Sequence, residues 1–280
     1  MRSITLLKYA EKWRLRTVPL PLLSPHDLLI KVLYAPINPS DLYFSYGVYG
    51  LRPPPPITLG MEGVGVVIEL GKNVSETYLH QKVAFMVKHE NFGSFAEYTV
   101  SNPRNVMILK EEKENEGIEN KILEEKDEAK DQKHLNDSIK EEKKENNGKE
   151  LMRKAGMFIN PMTVLGFWEI VKKGEHKAVI QTGGNSNVGK MLSKFLKEKG
   201  INNISVIRSS DQIENLVQMG ADKAISTDSK NFAKELKNAV DEYKPTIFFD
   251  CIGGSLTGQV FLLFFEILRL LNIDFYGFAN

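Results

Sequence analysis

The residues whose types and spacing could do chemistry cluster around a small, polar, glycine-bearing turn, Thr182-Gly183-Gly184-Asn185-Ser186-Asn187-Val188-Gly189. The apolar run Ala178, Val179 and Ile180 leads into it. Met191, Leu192, Phe195 and Leu196 follow at helical spacing until Gly200 stops the pattern. A strand, a tight turn and a helix in that order aim backbone N–H groups and the positive helix end at an anion such as a pyrophosphate. A GxGxxG fingerprint would put glycine where Asn185 and Ser186 stand, so a plain strand–helix connection also fits the turn. About 20 residues past the turn, the spacing of a ribose-binding residue, a second strand Ile204–Ile207 ends at Arg208, with Ser209 and Ser210 behind it. Asp or Glu at that strand end would hold a ribose 2′-OH. A guanidinium instead grips a 2′-phosphate with paired hydrogen bonds, so the choice falls on NADPH over NADH; a surface Arg opening a loop is the alternative.

Composition bounds what surrounds this turn. A chain of 280 residues has room for two domains and a substantial core. The net charge of +1 gives no bulk attraction to nucleic acid. Cys251 is the only cysteine, which leaves no disulfide framework and no multi-cysteine zinc site. As a lone thiol after a strand end, in Asp250-Cys-Ile-Gly-Gly254, it reads as inert. The opening MRSITLLKYAEKWRL lacks a signal-peptide apolar core and is not the Arg- and Ser-rich, acid-poor stretch of a transit peptide. The most apolar run, Val260–Leu271, carries Glu266 and Arg269 and is too short for a membrane span, so a buried helix is expected.

The elements that must position the turn fall into three zones. Residues 1–109 are β-rich, with strands expected at Leu28–Leu33, Val64–Leu70, Lys82–Val87 and Ser94–Val100 and an extended proline run at Pro53–Pro56. Short strands fenced by Gly, Pro and Asn suggest a barrel-like domain. Residues 110–154 are a charged, low-complexity insertion rich in Lys, Glu, Asn and Asp, whose few apolar side chains cannot offset ordering entropy. Order is expected to resume at Met157. Residues 155–280 form the third zone. Asn160-Pro161-Met162-Thr163 starts a helix, with Pro161 in its first turn and Val164, Phe167, Trp168 and Val171 on its apolar face. Strands and helices then alternate: after the opening unit, helix Asp211–Met219, strand Lys223–Ile225, helix Ser229–Val240, strand Thr246–Asp250, a helix from near Ser255 and strand Asn272–Tyr276. The fold class is therefore α/β, a doubly wound parallel sheet of about five strands beside a β-rich domain.

With both halves read, the chain resembles the zinc-independent branch of the medium-chain dehydrogenase/reductase superfamily, in which a GroES-like catalytic domain is joined to a Rossmann domain. It is most similar to mitochondrial trans-2-enoyl-thioester reductases, then to quinone oxidoreductases. Ala35-Pro-Ile-Asn-Pro-Ser-Asp41 resembles the INPSD element, and Gly47-Val48-Tyr49-Gly50 the Gly-x-Tyr segment of enoyl reductases. Asn160-Pro-Met-Thr163 resembles their NPxT helix start, Asn185-Ser186-Asn187-Val188-Gly189 their NSGVG turn, and Ser205-Val-Ile-Arg208 their NADPH-selecting strand end. Tyr276-Gly277-Phe278-Ala279 resembles a later cofactor-contacting turn, whereas Gly93–Tyr98 looks more like the quinone branch. Zinc-dependent relatives carry cysteine near Asn38 and histidine at Met61; neither residue present binds Zn²⁺ usefully, and Glu62 is expected to be a buried hydrogen-bonding residue.

The resemblance implies NADPH-dependent reduction of the double bond of a small-molecule 2-enoyl thioester, as in fatty-acid synthesis. Tyr49 would be the catalytic donor to the carbonyl oxygen, although by residue type alone a tyrosine among Tyr43, Phe44 and Tyr46 packs. Asn160 and Thr163 would contact the cofactor, and could cap their helix at the same time. A mitochondrial location is implied, with the cytoplasm as the alternative, and a homodimer is an expected assembly. Family members continue past the fifth strand, where this sequence stops. A non-catalytic remnant is therefore one rival reading, and a quinone reductase, on the likeness of Gly93–Tyr98, is another.

Overall fold

The computed structural model describes residues 1–50, 52–87, 93–110 and 148–270, with side chains through Phe264. The chain divides into two compact units, residues 1–159 and 160–280.

The first unit contains two antiparallel sheets. Strand β1 (Arg2–Leu6) lies between β2 (Arg14–Thr17) and the short β4 (Ile57–Thr58). The second sheet runs β7-β3-β5-β6-β8, built from β3 (Leu28–Tyr34), β5 (Glu62–Leu70), β6 (Lys82–Met86), β7 (Tyr98–Ser101) and β8 (Val106–Ile108). Two register shifts in the β3–β5 pairing bend these long strands. Leu28, Ile30, Val67, Val83, Phe85 and Val87 form the core that the sheet curls around. The expected strand Ser94–Val100 is a strand only from Tyr98. The residues before it stitch the sheets together: the Ile4 N–H donates to Phe95 O at 2.8 Å, Glu97 N–H to Arg2 O at 3.1 Å and Val32 N–H to Glu97 O at 3.0 Å. Helix α1 (Pro39–Tyr46) packs Phe44 with Leu6, Ile57, Leu59 and Met61 into a separate cluster.

The described residues begin again at 148, ahead of Met157. Residues 148–154 are helical, and Leu151, Ala155 and Phe158 pack on Val64 and Ala84 of the second sheet. Leu151 on this short helix and Ala155 and Phe158 just after it supply the apolar docking face, although charged residues flank them.

The second unit is a parallel sheet in the order β11-β10-β9-β12, from β9 (Ala178–Thr182), β10 (Asn202–Ile207), β11 (Lys223–Ser226) and β12 (Ile247–Phe249). The expected fifth strand, Asn272–Tyr276, lies outside the described residues. Alternating side chains of β9 serve the two faces. Val179 meets helix α2 (Ile159–Lys173) and helix α3 (Asn187–Glu198) through Val164, Val171, Leu192 and Leu196. Ile180 meets helix α5 (Phe232–Tyr243) and helix α6 (Gly254–Leu270) through Leu236, Val240 and Val260. Helix α4 (Ile213–Met219) covers Ile207 and Ala224 with Leu216. Full burial of each such Leu or Ile contributes roughly 1.5–3 kcal/mol. Among the described residues no helix is long and apolar enough to cross a membrane.

One layer between β9, β10 and α3 is polar. The two N–H bonds of the Gln181 amide are shared among three acceptors, Gly189 O at 3.1 Å and the hydroxyls of Ser193 and Ser205, both at 2.9 Å. Asn203 Nδ2 donates to Ser193 at 2.8 Å and to Ser205 at 3.1 Å.

Candidate functional site

In the second unit the glycine turn leaves β9 at the point where the sheet order reverses. Successive strands go to one side of β9 as far as β11, and β12 lies on the other. Crevices at the carboxyl ends of strands flanking such a reversal are the ligand sites of open α/β sheets. Here the crevice is a cavity of about 410 Å³. Gly183, Asn185 and Ser186 line it from the turn after β9, Arg208 and Ser209 from the end of β10, Thr227 from the end of β11 and Ile252 from beyond β12. Val206, Ile207 and Leu256 supply apolar wall and Gln212 a further polar group.

The turn has its shape because three contacts exclude side chains. Gly183 adopts φ +64°, a conformation that L side chains rarely take. A Cβ on Gly184 would stand 2.8 Å from the Ser205 Cβ. A Cβ on Gly189 would stand 2.6 Å from the carbonyl oxygens of both Gly183 and Gly184, so α3 packs on the turn only because residue 189 is glycine. Ser186 occupies the cap position, and its hydroxyl accepts the Gly189 N–H at 3.0 Å. Among the described residues nothing accepts the N–H of Asn187 or Val188 in the first turn of α3, a turn whose donors a helix cannot satisfy itself. These donors, added to the positive helix end, make an anion cradle.

Arg208 is exposed, and among the described residues no carboxylate forms an ion pair with it. Its carbonyl accepts the Ser226 hydroxyl at 2.9 Å, which pins the strand end and leaves the guanidinium available to a phosphate. The residues present therefore fit a phosphorylated dinucleotide. Asp250, beyond β12, accepts bonds from the Thr182 hydroxyl, from Thr257 at 2.6 Å and from the N–H groups of Ile252 at 3.2 Å and Gly253 at 3.0 Å. Burial works against its ionised form, but these bonds outweigh it and hold the carboxyl below its ordinary value. The Cys251 thiol beside it is pushed up, chiefly by burial, which favours the unreactive form.

The first unit carries Tyr49, half-buried on the loop after α1. Its ring packs against the Leu6, Phe44, Ile57, Leu59 and Met61 cluster and meets Phe44 edge-on at 6.3 Å. Helix α1 is fixed at its start by the Asn38 N–H, which donates to Asp41 Oδ2 at 2.7 Å. Glu62 is fully buried and committed to hydrogen bonds. One oxygen accepts Asn38 Nδ2 at 2.8 Å; the other accepts the N–H groups of Phe158 and Ile159 at 3.0 and 2.9 Å, the entry to α2.

The structure brings together Asn185, Ser186, Arg208 and Ser209 around one cavity. Asn187, Val188 and Gly189 form the first turn of α3 rather than the cavity lining. Ser210 is turned toward Asp228, whose Oδ2 accepts its N–H at 3.3 Å. Asn160 and Thr163 lie in the first turn of α2 in the unit 160–280, and Tyr49 belongs to the other unit. Tyr276, Gly277, Phe278 and Ala279 lie outside the described residues. Gln212, Thr227, Ile252 and Leu256 were not expected from sequence. Thr227 and Ile252 could have been found by taking the residues just past each expected strand.

Residues 24–111 match the alcohol dehydrogenase GroES-like domain family. Over 258 residues the chain is 28% identical to the mitochondrial enoyl-[acyl-carrier-protein] reductase of Arabidopsis thaliana, an alignment covering 88% of this chain and 57% of that protein. The chain thus spans under three fifths of the length of that relative. Among solved structures it is similar to a protein assigned as an NADPH:quinone reductase from Mesorhizobium loti, with a TM-score of 0.74 and 25% identity over 94% of this chain and 70% of that one. It shares its fold with the mitochondrial 2-enoyl thioester reductase heterodimer of Candida tropicalis, with a TM-score of 0.62 and 22% identity over 92% of this chain and 71% of that one. The superfamily resemblance drawn from the motifs and the pairing of a GroES-like with a Rossmann domain are both found.

Proposed function

We propose that this chain is an NADPH-dependent oxidoreductase that reduces the carbon–carbon double bond of a 2-enoyl thioester of the fatty-acid synthesis type. The observation that carries this reading is the cavity at the sheet reversal, with its glycine cradle and with Arg208 on its wall, in a chain similar to enoyl reductases. The N–H groups of Asn187 and Val188, beside Asn185 and Ser186, hold the pyrophosphate. Arg208, with Ser209 and Ser210, holds the 2′-phosphate. Asn160 and Thr163 orient the nicotinamide end. Bound NADPH supplies a hydride for the β-carbon. As negative charge develops on the thioester carbonyl oxygen, the Tyr49 hydroxyl donates a hydrogen bond to it and relays a proton toward the α-carbon.

The test is NADPH oxidation, followed by absorbance, with purified protein and crotonyl-CoA. Turnover is expected, and Tyr49→Phe should lower kcat on the order of 10²–10³-fold, the effect of losing one preorganised donor. Unchanged turnover in Tyr49→Phe would remove Tyr49 from the mechanism. A second reading, quinone reduction with the same cofactor, is favoured by the higher TM-score of 0.74 to the Mesorhizobium loti protein. A quinone offered in place of crotonyl-CoA separates the two. The same reading extends to a mitochondrial location, as in the names of the curated relatives, and to a homodimer, which fractionation and sedimentation would check.

A further inference from the structure

The loop that carries Tyr49 is held at both ends by a single ring from elsewhere in the first unit. Helix α1 closes at Gly47, φ 73°, whose N–H donates to Phe44 O at 2.9 Å. A Cβ on Gly47 would stand 3.1 Å from Cγ and Cδ1 of Tyr9 and equally far from Nε of Arg52, so the loop leaves the helix pressed between these two side chains. On the other side of Tyr49, the Arg52 guanidinium lies over the Tyr9 ring, 5.0 Å from its centroid. The Tyr9 hydroxyl donates to Pro53 O at 2.6 Å. The next residue, Ala10, donates its N–H to Ser45 O at 2.9 Å and ties this segment to the body of α1. Tyr9 and Tyr49 also pack against the same buried cluster of Leu6, Phe44, Ile57, Leu59 and Met61. Tyr9 is not itself placed to protonate a substrate, because its hydroxyl proton is committed to the Pro53 carbonyl.

We propose that Tyr9 is a positioning residue for Tyr49: with Arg52 and Pro53 it clamps the two ends of the loop and so fixes where the Tyr49 hydroxyl stands. The catalytic part of this inference rests on the reading of Tyr49 given above. A loop with both ends anchored loses most of its conformational freedom before substrate arrives, and a donor displaced by about 1 Å from its productive position costs on the order of 10²-fold in rate.

Two variants grade the clamp. Tyr9→Phe keeps the ring against Gly47 and Arg52 and removes only the bond to Pro53; Tyr9→Leu removes both. In protein carrying ring-¹³C tyrosine, the Tyr49 NMR signal is identified by its loss in Tyr49→Phe. It should shift in Tyr9→Leu and shift less in Tyr9→Phe. With NADPH and crotonyl-CoA, kcat should fall on the order of 10²-fold in Tyr9→Leu and under about 10-fold in Tyr9→Phe, while NADPH affinity is unchanged. Added to Tyr49→Phe, Tyr9→Leu should lower the residual rate no further, because the group it positions is gone. An unmoved Tyr49 signal would overturn the proposal. So would a Tyr9→Leu loss that multiplies onto that of Tyr49→Phe, since Tyr9 would then act through something else. If Tyr49→Phe keeps full activity while the Tyr49 signal still follows Tyr9, the clamp stands and only the chemistry assigned to Tyr49 falls.

Discussion

Arg208 is the side chain on which cofactor choice should turn. It stands exposed at the end of β10 on the cavity wall, and a guanidinium gains much more from a 2′-phosphate than from a 2′-hydroxyl. Arg208→Glu should therefore weaken NADPH on the order of 10²-fold, two charged hydrogen bonds being lost, and leave NADH nearly unaffected in isothermal titration. Equal affinity of the wild-type protein for the two nucleotides would remove this role. Its place at the strand end was legible because the distance from turn to strand end is set by one strand–helix–strand unit. Tyr9 was not, because its partners Gly47, Arg52 and Pro53 are roughly 40 residues away along the sequence. Asp41 was visible in a motif, yet its electrostatic state was not. Burial pushes its carboxyl up to about 6, the Asn38 N–H pulls it down, and Glu62 adds to the rise. The unfolded value is near 3.9. A raised folded value means that the native chain holds the proton more tightly. This group's contribution is thus complete below about pH 4 and is lost as pH rises to about 6, a change on the order of 3 kcal/mol. The amide oxygen of Asp41→Asn still accepts the Asn38 N–H. The variant should gain stability relative to wild type between pH 4 and pH 7 in urea unfolding, and a constant gap across that range would contradict the account.

At the scale of elements, the junction of the glycine turn with α3 determines whether a cofactor can be held. Gly189→Ala puts a methyl 2.6 Å from two backbone oxygens that cannot move without the turn. It should cost about 1–3 kcal/mol of stability, the usual penalty of overpacking, and abolish NADPH binding. Wild-type affinity in this variant would show that the turn is not the cradle. The strands and helices of the second unit were readable because apolar residues recur in them at strand or helix spacing and most end at glycine or a polar turn. In the first unit β1, β2, β4, β8 and α1 were not anticipated. Strand β2 is exposed along its whole length and β4 has only the residues Ile57–Thr58, so neither shows a hydrophobic period. Helix α1 buries little beyond Asp41, Phe44 and Ser45, and its aromatic run hides the helical spacing. The segment Ser94–Glu97 reads as the start of a strand but serves as a seam between sheets.

For the molecule as a whole, the proposed ligands divide between two compact units, residues 1–159 and 160–280. NADPH alone should therefore protect amides of 183–189 and 208–212 from hydrogen exchange more than those of β3 or β5, and protection spread evenly over both units would count against a cofactor site in the second. The sequence offers a change from β-rich to alternating pattern, but the grip of Glu62 on the entry of α2 is a contact that no local pattern announces. The polar layer of Gln181, Ser193, Asn203 and Ser205 bears on how the second unit assembles. Its full set of bonds cannot form until β9, α3 and β10 are all in place, since the Ser193 and Ser205 hydroxyls each serve partners on two elements. Docking any two alone would bury donors without acceptors, at a cost of about 1–3 kcal/mol each. The layer thus acts as a lock on order of folding: residues 178–207 should close as one cooperative step, and the cradle that meets the nucleotide should exist either complete or not at all.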